Sequence, residues 1–278
     1  MARPIVSLLT DFGLRDPSAA ICRGVILSIA PEAEIIDISH EVPRFSVRDG
    51  AYLLSCALPY LPVGIHVGVV DPGVGTERRP IVLRTGRGDI LIGPDNGLLL
   101  PAVELLGGLR EARVLEAPEY RLPAVSASFH GRDIFAPAAA HVARGVALSA
   151  LGPPVAAEEL VRLAIPAARV TAGRLEASVL HVDAFGNVKF TAQAADLAAA
   201  LGPLAPGDRL VVESAAATPD GRPLRLELAW AYSFGGAATG APLLWEDSYG
   251  RLGLAVNRGD AAARYGLGVD RPVVITRG

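Results

Sequence analysis

Three short runs near the start of the chain, Ile5-Val6-Ser7-Leu8-Leu9, Ile35-Ile36-Asp37-Ile38 and Ile65-His66-Val67-Gly68-Val69-Val70, are apolar without polar alternation. A strand with no polar face is buried on both sides, which a parallel sheet covered by helices on each face provides. The stretches between the runs, Ala19 to Ala30 and Val47 to Leu58, carry helical amphipathicity. The pattern therefore predicts a βαβαβ unit with a mostly parallel sheet. Further short strands are expected at Ile81 to Arg84, Ile90 to Ile92 and Ala112 to Leu115. Helices are expected at Gly97 to Leu106 and at Ile134 to Gly145, the second ending on a glycine.

From Leu151 to Ala172 the character changes, with Gly152-Pro153-Pro154 and Pro166 breaking any regular element. Beyond lie short segments separated by turn signals: Leu175 to Val182, Asn187 to Thr191, Arg209 to Glu213, Leu224 to Ala229 and Val273 to Ile275. Spacing of this kind predicts a small antiparallel barrel or sandwich. The Ala-rich stretch from Ala192 to Ala205 reads as a short helix within it. The fold class is thus α/β, with an N-terminal domain over residues 1–165 and a smaller β domain over 166–278. A length of 278 residues is enough for two such cores.

Apolar residues make up 51% of the chain and charged residues 20%, with 26 basic against 29 acidic side chains. Phosphate backbones require a positive stripe, so nucleic acid is not expected as a partner. Of the basic residues only Lys189 is a lysine; the others are arginines, whose planar forks suit paired and partly buried positions. The two cysteines, Cys22 and Cys56, fall in expected helices, and the start of the chain carries no signal-like stretch, so a reduced cytoplasm is expected. No apolar run reaches membrane-spanning length without interruption.

Asp11, Asp37 and Asp71 stand at or near the ends of the early strands, where open parallel sheets bind ligands. Each also fits a plain capping role. Asp37 lies one residue inside its strand and ranks below the other two. Asp71 opens Asp71-Pro72-Gly73-Val74-Gly75-Thr76-Glu77-Arg78-Arg79, a turn that brings an arginine back toward the carboxylate. Such a pair can fix a water or simply form a structural salt bridge. The loop has no phosphate-loop lysine and no dinucleotide fingerprint. Ser128-Phe129-His130-Gly131-Arg132-Asp133 sets a histidine beside a glycine just before a helix. Neither cysteine is spaced for zinc, and no nucleophile elbow is present. In the second half, His181-Val182-Asp183-Ala184-Phe185-Gly186-Asn187-Val188 offers an acid, an aromatic ring and an amide at a turn. That set suits nucleoside recognition and also suits an ordinary β-turn.

Taken in order, Leu9-Thr10-Asp11-Phe12-Gly13, Val70 to Thr76, Gly93-Pro94-Asp95-Asn96-Gly97, Phe129 to Asp133, Asp183 to Asn187 and Val256-Asn257-Arg258-Gly259 closely resemble the S-adenosyl-L-methionine (SAM) hydroxide adenosyltransferases. These SAM hydrolases are related to the SAM-dependent fluorinase and chlorinase. The resemblance implies an N-terminal α/β domain, a C-terminal β-barrel and a homotrimer binding SAM between subunits. It implies a catalytic triad of Asp71, Arg78 and His130, with Arg79 adjacent to the chosen arginine. It further implies that Asp11 holds the ribose and Asp16 and Ser18 the methionine end. Asp183, Phe185 and Asn187 would contact substrate from a neighbouring subunit, with Tyr232, Ser248, Val256 and Asn257 completing the pocket. Tyr249 is included in that wall, although the halogenases tend to carry an arginine there to meet the methionine carboxylate; Lys189 replaces one of their aromatics. The hydrolase branch is implied because Gly131 stands where halogenases place a halide-cradling serine. The expected reaction is attack of water or hydroxide on the 5′ carbon, giving adenosine and L-methionine with no metal or other cofactor. A chlorinase-like activity and a SAM or adenosine sensor are the alternatives.

Overall fold

The computed structural model describes residues 3–217 and 221–278, in two compact units of which the first ends at Leu163 and the second begins at Ala164. The first unit runs β1 (Ile5–Thr10), α1 (Ser18–Ile29), β2 (Glu34–Ser39), α2 (Val47–Ala57), β3 (Ile65–Val69), β4 (Pro80–Thr85), β5 (Ile90–Pro94), α3 (Leu100–Leu105), β6 (Leu109–Val114) and α4 (Ala136–Ala143). Its sheet has the order β2-β1-β3-β5-β4-β6. β1 pairs in parallel with both β2 and β3, and β3 with β5, whereas β4 is antiparallel to its two neighbours.

Two apolar layers enclose this sheet. On one face Val6, Leu8, Val67, Val69 and Ile92 pack against Cys22 and Ile26 of α1 and Ala136, Ala139 and Ala140 of α4. On the other, Leu9, Val70, Leu83 and Leu91 meet Leu54 of α2 and the Leu98 to Val103 region. The one-residue alternation between layers explains why the early strands read as unbroken apolar runs. In α1, Ala19, Cys22 and Ile26 form the buried stripe, and Pro31 follows its end. Ser46 caps α2, accepting from the backbone N–H of Asp49. The third helix starts at Leu100 and not at Gly97, because Gly97 takes a left-handed φ of 90°. Residues Gly131–Phe135 form a single π-helical turn leading into α4, so the predicted helix there begins with a widened turn.

The second unit comprises β7 (Arg169–Thr171), β8 (Arg174–Val182), β9 (Val188–Gln193), α5 (Ala194–Leu201), β10 (Arg209–Ala217), β11 (Pro223–Trp230), β12 (Pro242–Glu246), β13 (Arg251–Val256), α6 (Ala261–Tyr265) and β14 (Pro272–Arg277). Strands run β14-β10-β11-β12-β13-β9-β8, and a β14 to β8 pairing closes the barrel, with β7 attached outside the ring. All pairings are antiparallel except β11 with β12. Phe190, Leu210, Val212, Leu244, Leu252, Leu254 and Ile275 fill the interior. Strands β12 and β13 had no expectation in the sequence; they are short and bounded by proline and glycine, which hides their alternation.

Beneath the helices of the first unit lies a fully buried polar row. Ser7 Oγ bonds His66 Nδ1 at 2.7 Å, and His66 Nε2 lies 3.0 Å from Asp89 Oδ1. Thr85 and Arg87 also reach Asp89. The row ties β1, β3 and the start of β5 together, and its satisfaction is what makes three buried polar groups tolerable. Burial disfavours the Asp89 carboxylate, but hydrogen bonds from His66 and Arg87 outweigh this and hold its pKa well below the usual range. A depressed carboxyl stabilises the fold above its ordinary titration range, and that stability is lost as pH falls through the folded pKa. Replacing His66 with Ala is expected to lower stability by about 2–4 kcal/mol at neutral pH in urea unfolding. The margin between wild type and variant is expected to shrink progressively as pH falls from the ordinary carboxyl range, about 4, toward the lowered pKa of folded Asp89.

Candidate active site

After β1 the chain turns one way to β2, and after α2 it returns to place β3 on the other side of β1. The carboxyl ends of β1 and β3 are therefore a topological switch point, the usual ligand crevice of an open α/β sheet. Register pairs Thr10 with Val69, so Asp11 and Asp71, each just beyond its strand, emerge near one another. Both line a cavity of about 120 Å³ together with Phe12, Phe45, Val74, Ser128, Phe129, His130 and Gly131.

Asp71 is held in a bidentate pair by Arg78, whose Nε is 3.1 Å from Oδ1 and whose Nη2 is 2.5 Å from Oδ2. The same Nη2 lies 3.0 Å from His130 Nδ1. Gly75, at φ 76°, permits this: a Cβ there would stand 2.3 Å from the carbonyl oxygen of Ala127, so only glycine lets the 71–78 loop close against the segment bearing His130. Arg79 turns away to Asp95 at 2.6 Å and to the carbonyl of Glu159, so of the two arginines it is Arg78 that pairs with Asp71. Phe135 packs on the Arg78 guanidinium, 5.5 Å from its ring centroid.

The electrostatics follow from this row. Burial pushes the Asp71 carboxyl above its ordinary pKa, against the attraction of Arg78. Burial and the positive charge of Arg78 both push the His130 imidazole below 6.5, against the pull of Asp71. A guanidinium only donates, so His130 Nδ1 accepts and the neutral ring carries its proton on Nε2. The result is a carboxylate with raised basicity beside an imidazole that acts as a donor.

Of the other predicted residues, Asp11 accepts from the backbone N–H of Phe45 at 2.9 Å through Oδ2. Asp16 and Ser18 lie at the start of α1, outside the lining of this cavity. Asp37 pairs with Arg23 and His40, in the structural role its position in the strand suggested. Phe45 escaped the sequence reading. It is 70% exposed and has a positive φ of 64°, an unfavourable backbone state for an aromatic residue, retained at the rim of the cavity. A single loop phenylalanine carries no periodic signal by which it could be found.

In the second unit, a cavity of about 890 Å³ is lined by Asp183, Phe185, Asn187, Ser248, Val256 and Asn257, all predicted, and by Lys189, Phe234, Trp245, Asp247, Arg258 and Asp260 among others. Asp183 Oδ1 accepts from the backbone N–H groups of Phe185 and Asn187, and Oδ2 from the Asn187 side-chain amide. Both carboxylate oxygens thus hold the turn, which projects Phe185 with 79% exposure. Asn257 anchors its amide on the carbonyl of Ala237. Tyr232 and Tyr249 are exposed and lie outside the lining of this cavity. Among the described residues no group of three His, Cys, Asp or Glu side chains is placed to hold a metal ion, and no helix is long and apolar enough to cross a membrane.

The fold and the two cavities can be set beside known proteins. Residues 6–152 match the SAM hydroxide adenosyltransferase N-terminal domain, and residues 177–274 match the C-terminal domain of the same family. The chain is 44% identical to an (R)-S-adenosyl-L-methionine hydrolase of Salinispora tropica, covering 95% of this chain and 94% of that one. It is 40% identical to a protein of the same name from Thermus thermophilus, covering 98% of each. A fluorinase from an Actinoplanes species is 28% identical over 99% of this chain and 98% of its own. A crystal structure of a conserved protein from Thermotoga maritima superposes with a TM-score of 0.88 at 34% identity, covering 98% of this chain and all of the other. The chain belongs to the SAM hydroxide adenosyltransferase family.

At Gly131 a side chain fits only if Phe12 moves. A Cβ there would lie 2.9 Å from Phe12 Cζ and 3.5 Å from Phe129, two rings stacked edge to face in the cavity wall. Gly131→Ser is therefore expected to displace Phe12, lower stability by about 1–3 kcal/mol and reduce turnover at least tenfold, read by thermal melting and steady-state kinetics. It is not expected to create a halide site, which chloride titration of the variant checks.

Proposed function

We propose that the chain hydrolyses SAM, preferentially its (R)-sulfonium epimer, to adenosine and L-methionine. The observation that carries this reading is Asp71 and His130, joined through Arg78, in the wall of a cavity that also holds Asp11. The preference for the (R) epimer rests on the names of the hydrolases that share 40% or more of the sequence.

In this reading a water sits between the Asp71 carboxylate and the Nε2–H of His130, with its free lone pair directed at the 5′ carbon. The carbon–oxygen bond forms as the carbon–sulfur bond breaks, and sulfur takes the electron pair to leave as the neutral thioether of methionine. The leaving group needs no acid. As the new bond forms the water oxygen becomes strongly acidic, and Asp71, whose basicity burial has raised, takes the proton. Arg78 keeps His130 neutral and both partners fixed. As the proton passes to the anionic carboxylate and the cationic sulfonium becomes a neutral thioether, charge is neutralised, so exclusion of bulk water favours the transition state. Fixing the water in line contributes several kcal/mol, on the scale of oriented intramolecular reactions.

Asp11 would accept from the ribose hydroxyls, and Asp16 and Ser18 would meet the methionine end. Phe185, Asn187, Ser248, Val256 and Asn257, with Tyr232 and Tyr249 outside the cavity rim, would close the pocket from the neighbouring subunit of a homotrimer. Asp183 would act there by holding the turn. Two buried free cysteines fit a cytoplasmic setting.

Incubation with each sulfonium epimer, with and without chloride, tests the reading through chromatography of the products. Adenosine and methionine are expected from the (R) epimer, with Asp71→Asn lowering kcat by about 10²–10⁴-fold. A chloride-dependent 5′-chloro-5′-deoxyadenosine would replace the hydrolase by a halogenase, and retained adenosine without turnover would leave a binding protein. The pH–rate profile is expected to be flat near neutrality and to fall on the acid side. His130 protonates only below 6.5 and Asp71 only as pH approaches its raised carboxyl pKa. His130→Asn keeps an acceptor for Arg78, and its acid limb should reflect Asp71 alone. An acid limb abolished by His130→Asn and unchanged by Asp71→Asn would give the proton to His130.

A further inference from the structure

Lys189, the only lysine of the chain, lies on β9 at 8% exposure and lines the cavity of the second unit. Its Nζ stands 4.4 Å from the centroid of the Trp245 ring. It is also 3.3 Å from Asp247 Oδ2, an ion-pair distance without hydrogen-bond alignment, since that oxygen has no hydrogen-bond partner among the described residues. The other oxygen, Oδ1, accepts from the backbone N–H groups of Tyr249 and Arg251. The geometry is built across three strands. Lys189 and Trp245 are both register partners of Gly253, where a Cβ would stand 2.7 Å from the indole, so the missing side chain lets the ring lie flat beside the ammonium.

With one ion-pair partner out of hydrogen-bond alignment and an aromatic face against it, the ammonium keeps N–H donors open to the cavity. The other charges of the lining do not take up those donors. The Asp183 carboxylate holds its own turn and Asp260 caps α6, while Arg258 is exposed on a left-handed turn. The donors left open therefore suit an anion on the cavity side. In a sulfonium nucleoside substrate the only anion is the α-carboxylate of the amino-acid end.

We infer that Lys189 binds the substrate α-carboxylate and makes the enzyme specific for a carboxylated sulfonium. Asp247 holds the ammonium in place and Trp245 supports it from the side. The assignment rests on the SAM-hydrolase reading.

Wild type, Lys189→Met and Lys189→Arg are compared by steady-state kinetics and by calorimetric binding, using SAM and its decarboxylated propylamine analogue. Wild type is expected to favour SAM, and Lys189→Met to raise KM and Kd for SAM about 10- to 100-fold, with kcat within about threefold. The same substitution is expected to leave KM for the decarboxylated analogue within about twofold, and Lys189→Arg to recover part of the affinity for SAM. Equal weakening of both ligands by Lys189→Met, or an unchanged affinity for SAM, overturns the assignment. So does a wild type that fails to distinguish the two ligands, a comparison that needs no variant to fold. Failure of the hydrolase reading has a different signature: wild type turns over neither sulfonium epimer, and the calorimetric comparison still decides the role of Lys189.

Discussion

Parallel pairing of β1 with β3 is the constraint on which the first unit and its crevice depend. It sets Thr10 opposite Val69 and so delivers Asp11 and Asp71 to one crevice at the switch point of the sheet. A parallel pair has little freedom of register when both faces are buried, because a slip of one residue would exchange the Val6 and Leu8 layer for the Ser7 and Leu9 layer. The polar row from Ser7 through His66 to Asp89 adds a second lock. Shifted by one residue, the row would leave a buried histidine and carboxylate unpaired, a penalty larger than any surface contact could offset.

Above that frame, one guanidinium organises the polar row of the cavity wall. Arg78 faces Asp71 with two nitrogens and His130 with one, so a single rigid fork determines the spacing, the tautomer and the charge of both neighbours. Burial and charge then act on the two groups in opposite directions, raising the carboxyl and lowering the imidazole. The two neighbours of one guanidinium are thereby brought closer in basicity than a free carboxyl and a free imidazole. Arg79 serves a different end. Through Asp95, which also accepts from the backbone N–H of Val161, it ties down the segment that closes the first unit.

The barrel gathers polar and aromatic side chains around a cavity of its own. Its turns place Phe185 outward, and its strands gather a buried lysine, an indole and a carboxylate around a glycine. The polar groups of the Asp183 to Asn187 turn show how close structural and functional signals can lie. The acid and the amide satisfy one another and the backbone, and the aromatic ring is what the turn presents.

The alternation of apolar runs with amphipathic stretches already specified the α/β unit, the short β segments after it and the loops bearing Asp11, Asp71 and His130. Periodicity and turn chemistry act over a few residues, so they can be read along the chain. Strands β12 and β13 were less legible because Pro242, Gly250 and Gly253 break up five- and six-residue segments whose partners are distant. Tertiary structure alone decided that Arg78 and not Arg79 joins Asp71, that Asp37 belongs to a structural pair, that Phe45 reaches the cavity, and that Lys189 is buried beside Trp245 and Asp247. Each of these depends on strand register and on which loops meet in space, and residues far apart in sequence carry no local mark of that proximity.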